Sequence, residues 1–219
     1  MKTEILSVIY EEPEWIETVK GLARCGIASR FVGRKGVGSL SEAINRGVRE
    51  SIPCDVDLIW ILTNPVFRPE VPGKLARSIM ATGYATPSIV ANGWAAVHPA
   101  FNSSHIMMRS QSDGLRETAF VEFTAPMVRA ELLRQYPLDE DMPYVGFDLD
   151  WSYRVRRRGW SVGVDDRIHL RHVYLKNAMR THPATEERKR RRAAALPETH
   201  AKLESKYGKR WRYVLGSEV

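Results

Sequence analysis

Two short apolar runs, residues 4–10 and 57–63, place the strongest limit on the fold of this chain. Both are rich in isoleucine and leucine without regular alternation, a pattern typical of strands that are buried on both faces. A stretch with helical spacing, opened by Pro13 and ended near Gly26, separates the first run from a further strand at residues 28–32. This β-α-β beginning predicts an α/β protein with an open, twisted, mostly parallel mixed sheet flanked by helices.

The carboxyl ends of these strands are the expected ligand site, because ligands of open α/β sheets bind beyond those ends. Residues 10–12 and 63–65, with the start of the glycine-rich segment 33–38, should converge on one crevice. Small residues let backbone N–H groups approach a phosphate, and Arg34 and Lys35 add positive charge. The glycine spacing fits neither the Rossmann nor the P-loop motif, so an ordinary turn is the alternative interpretation.

Segment 144–160 is predicted to form a helix that ends at Gly159. Phe147, Trp151 and Val155 recur at i, i+4 and i+8, which places one apolar line along the helix. The sequence therefore predicts that this helix docks on the core.

Two carboxylates of this helix differ in their local partners. Asp150 and Arg154 are four residues apart and can pair. Asp148 has no such partner and lies near the first turn, where the helix dipole favours a carboxylate. The pattern alone favours a helix cap at Asp148, with a catalytic carboxylate as the alternative.

The positive charge of the chain is concentrated at its C-terminal end. The net charge is +7, and residues 176–219 hold 12 Lys and Arg against 5 Asp and Glu, while residues 1–175 hold 21 of each. We therefore divide the chain into a body, 1–175, and a basic helical extension, 176–219, packed on or beside it, with Pro197 expected to break the extension into two helices. The extension indicates an anionic partner such as nucleic acid, a membrane surface or a phosphorylated ligand, or else a solvated helix face.

The sequence also predicts the compartment. It contains no apolar run long enough to span a membrane, and the polar N-terminus lacks the core of a signal peptide. Cys25 and Cys54 have no metal-ligand spacing, which favours two reduced thiols. A cytoplasmic protein is expected.

Three features, in order along the chain, resemble the inverting glycosyltransferases of the GT-A class. Residues 38–47 are similar to a helix of that family that contains glycine, alanine and an Asn-x-Gly motif. Residues 62–69 lie where the family has a buried strand followed by an acidic metal-binding turn. Residues 123–133, 138–140 and 147–154 resemble its helix, Phe-Asp-Glu loop and Glu-Asp-x-Asp-Leu-x-x-Arg helix. The resemblance implies a Rossmann-like GT-A fold and inverting transfer of a sugar from a nucleotide-diphosphate sugar, such as a UDP-sugar, to an acceptor hydroxyl.

The resemblance also implies roles for individual residues. Asp148 matches the catalytic base, which takes the proton of the acceptor hydroxyl as that oxygen attacks the anomeric carbon. Asp150 and Arg154 match residues that brace the helix. The residues that would bind the donor lie at the strand ends or close to them: Tyr10, Glu11, Glu12, Arg34, Lys35, Thr63, Asn64 and Arg68.

The chain departs from the family's pattern at two places. Phe147 replaces the Glu that usually precedes the base, which makes the surroundings of Asp148 less polar. The turn 63–65 lacks the Asp that would hold Mn²⁺ or Mg²⁺, so either His172 and Asp148 help to hold a metal in another way, or the chain is an inactive relative. A further alternative is that the leaving diphosphate is neutralised by cationic side chains alone, namely Arg34, Lys35 and Arg68.

Three functions remain open from the sequence. The first is the glycosyltransferase, whose acceptor is a saccharide, a lipid-linked sugar, a protein, or DNA carrying a hydroxymethylated pyrimidine of the kind some phages contain. The second is a nucleic-acid-binding protein that uses the basic extension without transferring a sugar. The third is a non-catalytic binder of nucleotide-sugars.

Overall fold

A computed structural model of the chain describes residues 1–9, 20–33, 39–62, 65–66, 68–82, 114–121, 123, 125–142, 145–165, 167–168, 171–172 and 183–216. The strands are β1 (Thr3–Ile9), β2 (Ser29–Gly33), β3 (Leu58–Leu62), β4 (Pro65–Val66), β5 (Leu115–Glu117), β6 (Met127–Arg129), β7 (Gly163–Asp165) and β8 (Arg171–His172). The helices are α1 (Leu40–Glu50), α2 (Val71–Thr82), α3 (Ala130–Gln135), α4 (Phe147–Arg156), α5 (Pro183–Tyr207) and α6 (Trp211–Gly216).

Within the described ranges, the central sheet has four strands in the order β2-β1-β3-β6. β1 is parallel to β2 and to β3, whereas β6 is antiparallel to β3. Two short antiparallel pairs, β4 with β8 and β5 with β7, lie outside this sheet. The predicted α/β class and mixed, mostly parallel sheet are confirmed.

Strand β3 shows why its run of apolar residues is continuous. Ile59 and Ile61 belong to one buried cluster, with side chains of α1, α3, α4, α5 and α6. The side chains that alternate with these belong to the other cluster, which includes side chains of α2; they are Leu58, Trp60 and Leu62. Successive side chains of a strand point to opposite faces, so a strand covered on both faces must be apolar at every position.

Pro126 predicts the start of a helix that continues through Arg134. This prediction is wrong, since the segment forms strand β6 followed by helix α3. Met127 and Val128 are both fully buried and belong to the clusters on opposite faces of the sheet, so a strand buries both side chains where a helix would not. Alternation over residues 117–123 predicts a strand there. That prediction is wrong for most of the range, because β5 (Leu115–Glu117) overlaps it only at Glu117.

The prediction that Pro197 breaks the C-terminal extension is wrong, since α5 continues through it. Proline inside a helix costs about 3 kcal/mol. The helix beyond Pro197 is fixed by buried contacts, and Leu203 joins the core cluster of the sheet together with Trp211 and Leu215 of α6. Among the described residues, no helix is long and apolar enough to cross a membrane.

Candidate active site

The three parallel strands end at one edge of the sheet. Ile9 at the end of β1 lies opposite Gly33 at the end of β2, and Leu62 at the end of β3 lies opposite Ser7, roughly 7 Å from the end of β1. Arg68 is exposed shortly before α2. The other residues predicted to bind the donor lie outside the described residues: Tyr10, Glu11, Glu12, Arg34, Lys35, Thr63 and Asn64.

Segment 121–126 borders the same edge on the side of β3. The N–H of Ile61 donates to the carbonyl of Pro126 at 2.9 Å, and the indole N–H of Trp60 donates to the carbonyl of Ala125 at 3.0 Å. The backbone bond from Ile61 continues the antiparallel pairing of β6 with β3. Because the partner is antiparallel, the residues before Pro126 run past the carboxyl end of β3.

Helix α4 packs on this segment. The ring of Phe123 lies edge-on against Phe147, at a centroid distance of 5.9 Å, and against Trp151 at 5.2 Å. The N–H of Val121 donates to Oγ of Ser152 at 3.4 Å. The segment that passes the carboxyl end of β3 therefore holds the helix that carries both carboxylates. Phe147, which replaces a Glu of the family, is 3% exposed and serves this packing.

Asp148 is the second residue of α4 and is partly exposed. Its Oδ1 accepts the N–H of Leu149 at 3.0 Å. The N-cap residue is Gly146, with φ 90°, which has no side chain to accept a first-turn N–H. Asp148 thus supplies an acceptor to the first turn, as a capping residue would, and keeps part of its surface open to solvent.

Asp150 has the opposite environment, because its side chain is 0% exposed. Nε of Arg154 donates to Oδ2 at 2.7 Å, so the pair expected from the i, i+4 spacing forms. Nζ of Lys206 and the hydroxyl of Tyr207 donate to Oδ1 at 2.7 Å and 2.6 Å. Three donors, two of them cationic, offset the cost of burying this carboxylate.

Lys206 also joins a second carboxylate to this group, since its Nζ donates to Oδ2 of Asp139 at 2.7 Å. Burial alone would lower the pKa of Lys206, but the hydrogen bonds to Asp139 and Asp150 outweigh it, and the pKa is raised. Burial alone would raise the pKa of Asp139, but the hydrogen bond from Lys206 outweighs it, and the pKa lies below the usual value. Burial and the bond to Asp150 raise the pKa of Tyr207, which is therefore a neutral donor. We call Asp139, Asp150, Arg154, Lys206 and Tyr207 the carboxylate lock.

Helix α1 makes hydrogen bonds to the loop before α4. The side-chain amide of Asn45 donates to the carbonyl of Leu138 at 2.8 Å, and its Oδ1 accepts the N–H of Leu138 at 2.9 Å. Asn45 also donates to Oε1 of Glu140 at 2.8 Å, and Oγ of Ser41 donates to the carbonyl of Met142 at 3.4 Å. Residues 38–47 and 138–140, which each resemble a segment of the glycosyltransferases, are therefore in contact through Asn45.

The described residues give little information on a divalent cation. β4 pairs with β8 so that Pro65 lies opposite His172. Within the described residues, no group of three or more His, Cys, Asp and Glu could hold a metal ion. The side chain of His172 lies outside the described part of the chain, so the roles of His172 and Asp148 in metal binding stay predictions.

Sequence reasoning assigned no role to three residues that shape this site: Gly146, Lys206 and Tyr207. A Cβ on Gly146 would lie 2.6 Å from Cγ2 of Thr199, and the positive φ adds strain for any other residue. A Lys-Tyr pair within an otherwise charged helix was the available signal, since a tyrosine there is more often packed than solvated. Its partner could not be read from spacing, because 56 residues separate Lys206 from Asp150.

No protein-family model and no curated protein sequence matches this chain. Solved structures do resemble it. GalNAc-T7, a GT-A glycosyltransferase solved with UDP, GalNAc and Mn²⁺, aligns with a TM-score of 0.55 at 8% identity, over 79% of this chain and 43% of that chain. The fold is GT-A-like. A197 from STIV aligns on this GT-A-like fold with a TM-score of 0.51 at 12% identity, over 78% of this chain and 84% of that chain.

The present chain therefore spans less than half the length of the GalNAc-T7 chain. At these identities the likeness concerns the GT-A-like fold alone. The activity must be argued from the residues of the site.

Proposed function

We propose that the protein transfers a sugar from a nucleotide-diphosphate sugar, of the UDP type, to an acceptor hydroxyl with inversion, and that Asp148 is the general base. The observation that carries this proposal is the placement of Asp148 on the GT-A-like fold. It is a partly exposed carboxylate in the first turn of a helix that is packed on the segment bordering the carboxyl ends of the parallel strands. Ligands of such sheets bind beyond those ends.

The chemistry requires one accessible carboxylate. The acceptor oxygen attacks the anomeric carbon, the bond from that carbon to the diphosphate breaks, and the proton of the acceptor hydroxyl passes to Asp148. The positive end of the helix dipole favours the ionised carboxylate that this role needs. Asp150 is unsuitable, because it is fully buried and accepts from three donors. Cations close to the strand ends, Arg34, Lys35 and Arg68, are proposed to offset the charge of the leaving diphosphate.

Substitution of the base tests the role of Asp148. We expect Asp148→Asn to lower kcat by about 10² to 10⁴, the usual contribution of general base catalysis, while the donor dissociation constant changes by no more than a few-fold. Nucleotide release and product formation would be measured with the donor found by a thermal-shift panel of nucleotide diphosphates and their sugars, with and without Mn²⁺.

Asp141→Asn is the matched control, because Asp141 is an exposed carboxylate in the loop before the same helix. Undiminished turnover in Asp148→Asn would remove this residue from the role of base. An anomeric configuration retained in the product, read by NMR, would refute inversion. Donor binding without any turnover in the wild-type protein would favour the non-catalytic binder.

A polyanionic acceptor, such as DNA with a hydroxymethylated pyrimidine, is supported by the continuity of α5. The run 188–192 consists of five basic residues, and Arg190 is exposed. The same helix touches the N-terminus of α4 at Thr199. At 1.5 Å per residue, the basic run lies roughly 10 to 17 Å along the helix from that contact. A polyanion bound there could present a flipped base to the crevice.

Comparison of hydroxymethylated with unmodified DNA tests this acceptor. We expect transfer only to the modified DNA, and binding that weakens steeply with salt. A variant with glutamine at positions 188–192 should bind DNA more weakly, with a smaller salt slope, while its donor affinity is unchanged. Equal results with both DNAs, or binding that does not depend on salt, would eliminate DNA as the acceptor and leave a saccharide or a protein. Salt-dependent DNA binding without any donor turnover would instead favour the nucleic-acid-binding protein.

A further inference from the structure

The C-terminal helix α5 contacts the first turn of α4 on both sides of Asp148. Thr199 and Leu203 lie against Gly146, where an added Cβ would come within 2.6 Å of Thr199 and 3.5 Å of Leu203. Lys206 and Tyr207 donate to Asp150. Thr199, Leu203 and the pair 206–207 are spaced at i, i+4 and i+7 to i+8, which places them on one face of the helix.

The apolar line of α4 faces the core, and hydrogen bonds to a neighbouring helix fix its rotation more closely. Oδ1 of Asp150 accepts from Lys206 at 2.7 Å and from Tyr207 at 2.6 Å, and both donors belong to α5. Lys206 is itself tied to Asp139 in the loop before α4, whereas the bond from Arg154 lies within α4. Asp148 lies two residues before Asp150 in the same helix, so its direction follows that of Asp150. A rotation of about 20° would move a side chain roughly 5 to 6 Å from the helix axis by about 2 Å. A misplacement of about 1 Å can cost a reaction about 10²-fold.

We propose that Lys206 and Tyr207 are positioning residues of the transfer reaction, which hold α4 at the rotation that points Asp148 towards the acceptor hydroxyl. This inference rests on the proposed function. Neither residue touches the reacting atoms, and both act through Asp150. Residues 199–207 thereby belong to the packing that orients the proposed base.

Two variants and one matched control test the positioning role. Lys206→Met removes the cation shared by Asp139 and Asp150, whereas Tyr207→Phe removes only one hydroxyl and is the variant expected to fold most like the wild type. Lys209→Met is the control, because Lys209 is exposed and lies just beyond the end of α5. For each protein, kcat, donor KM, donor dissociation constant and melting temperature would be measured.

We expect Lys206→Met to lower kcat by about 10- to 100-fold and Tyr207→Phe by about 3- to 10-fold, while donor KM and donor affinity stay within about threefold. Lys209→Met should match the wild type. Lys206→Arg, which keeps the cation, should recover most of the lost kcat. A merely structural role would instead lower the melting temperature without separating kcat from KM.

The outcomes separate this inference from the proposed function. Wild-type turnover together with unchanged kcat in both folded variants would refute positioning and leave Asp148 as the base. A parallel loss of kcat and donor affinity would also refute positioning, because it indicates general disruption of the fold. A wild-type protein that turns over no nucleotide-sugar would refute the proposed function and the positioning role together.

Discussion

The two halves of helix α5 differ in charge and in surroundings. In the half before Pro197, the run 188–192 is entirely basic and Arg190 is exposed. In the half after it, Thr199 and Leu203 are 2% and 1% exposed, and the last turn donates to Asp150. One helix therefore joins a run of basic residues to the buried packing around the proposed base.

The largest expected change in stability comes from removing the carboxylate of Asp150, which accepts hydrogen bonds from the last turn of α5. Asp150→Asn should lower the free energy of unfolding by about 3 to 4 kcal/mol, because it leaves cationic donors without their buried partner. This expected loss lies in the lower part of the range for broken buried ion pairs, because water can partly solvate Arg154 and Lys206, which are 29% and 41% exposed. Urea unfolding monitored by tryptophan fluorescence measures the change.

Asp141→Asn, at an exposed carboxylate of the same region, is the control and should change stability by less than about 0.5 kcal/mol. An equal effect of the two substitutions would show that the carboxylate lock adds nothing to stability.

A matched pair of substitutions compares the two halves of α5 directly. Leu203→Ala should cost about 3 kcal/mol, through lost burial and the cavity that remains in the core cluster. Arg190→Ala, at an exposed site of the same helix, should stay within about 0.5 kcal/mol. Thermal and urea unfolding of both variants would be compared. A cost at Arg190 as large as that at Leu203 would contradict the difference between an exposed and a buried site on the same helix.

The close approach of the packed half to α4 can be tested with a double-mutant cycle. Gly146→Ala should cost about 2 kcal/mol, because it adds a Cβ close to Thr199 and places it at a φ of 90°. Thr199→Ala removes the Cγ2 that would clash, so the cost of Gly146→Ala should be smaller in that background. Strain from the positive φ should persist in both backgrounds. Fully additive costs would show that the two sites are not in contact.

The smallest expected effect is the pH dependence of the bond between Lys206 and Asp139. The pKa of Asp139 is lowered on folding, so its contribution is present above the unfolded value of about 3.8 and is lost as the pH falls through the folded pKa. The pKa of Lys206 is raised, so its contribution is present below about 10.5 and is lost at higher pH.

The stability gap between wild type and Lys206→Met should therefore be widest between about pH 5 and 9 and narrow on both sides. The partly exposed pair of Lys206 with Asp139 contributes up to about 1 kcal/mol of this gap. Urea unfolding from pH 3 to 11 would measure the gap. A gap that is constant over this range would contradict a charge interaction at Lys206.

Local pattern was sufficient where each residue's environment depends on its near neighbours in the chain. The unbroken apolar run of β3 predicted a strand covered on both faces, and the i, i+4 spacing of Asp150 and Arg154 predicted an ion pair that forms. The same reasoning was wrong at Pro197 and at residues 126–129, where burial outweighs local preference.

The sequence by itself determined the α/β class, the mostly parallel sheet and the helix that carries two carboxylates, because alternation and helical spacing are properties of short segments. Only the tertiary structure decided how those carboxylates differ, since Asp150 is buried by residues more than 50 positions away while Asp148 stays partly exposed. It also decided that the second half of α5 belongs to the core, because burial depends on which segments meet in space. No spacing rule within one segment contains that information.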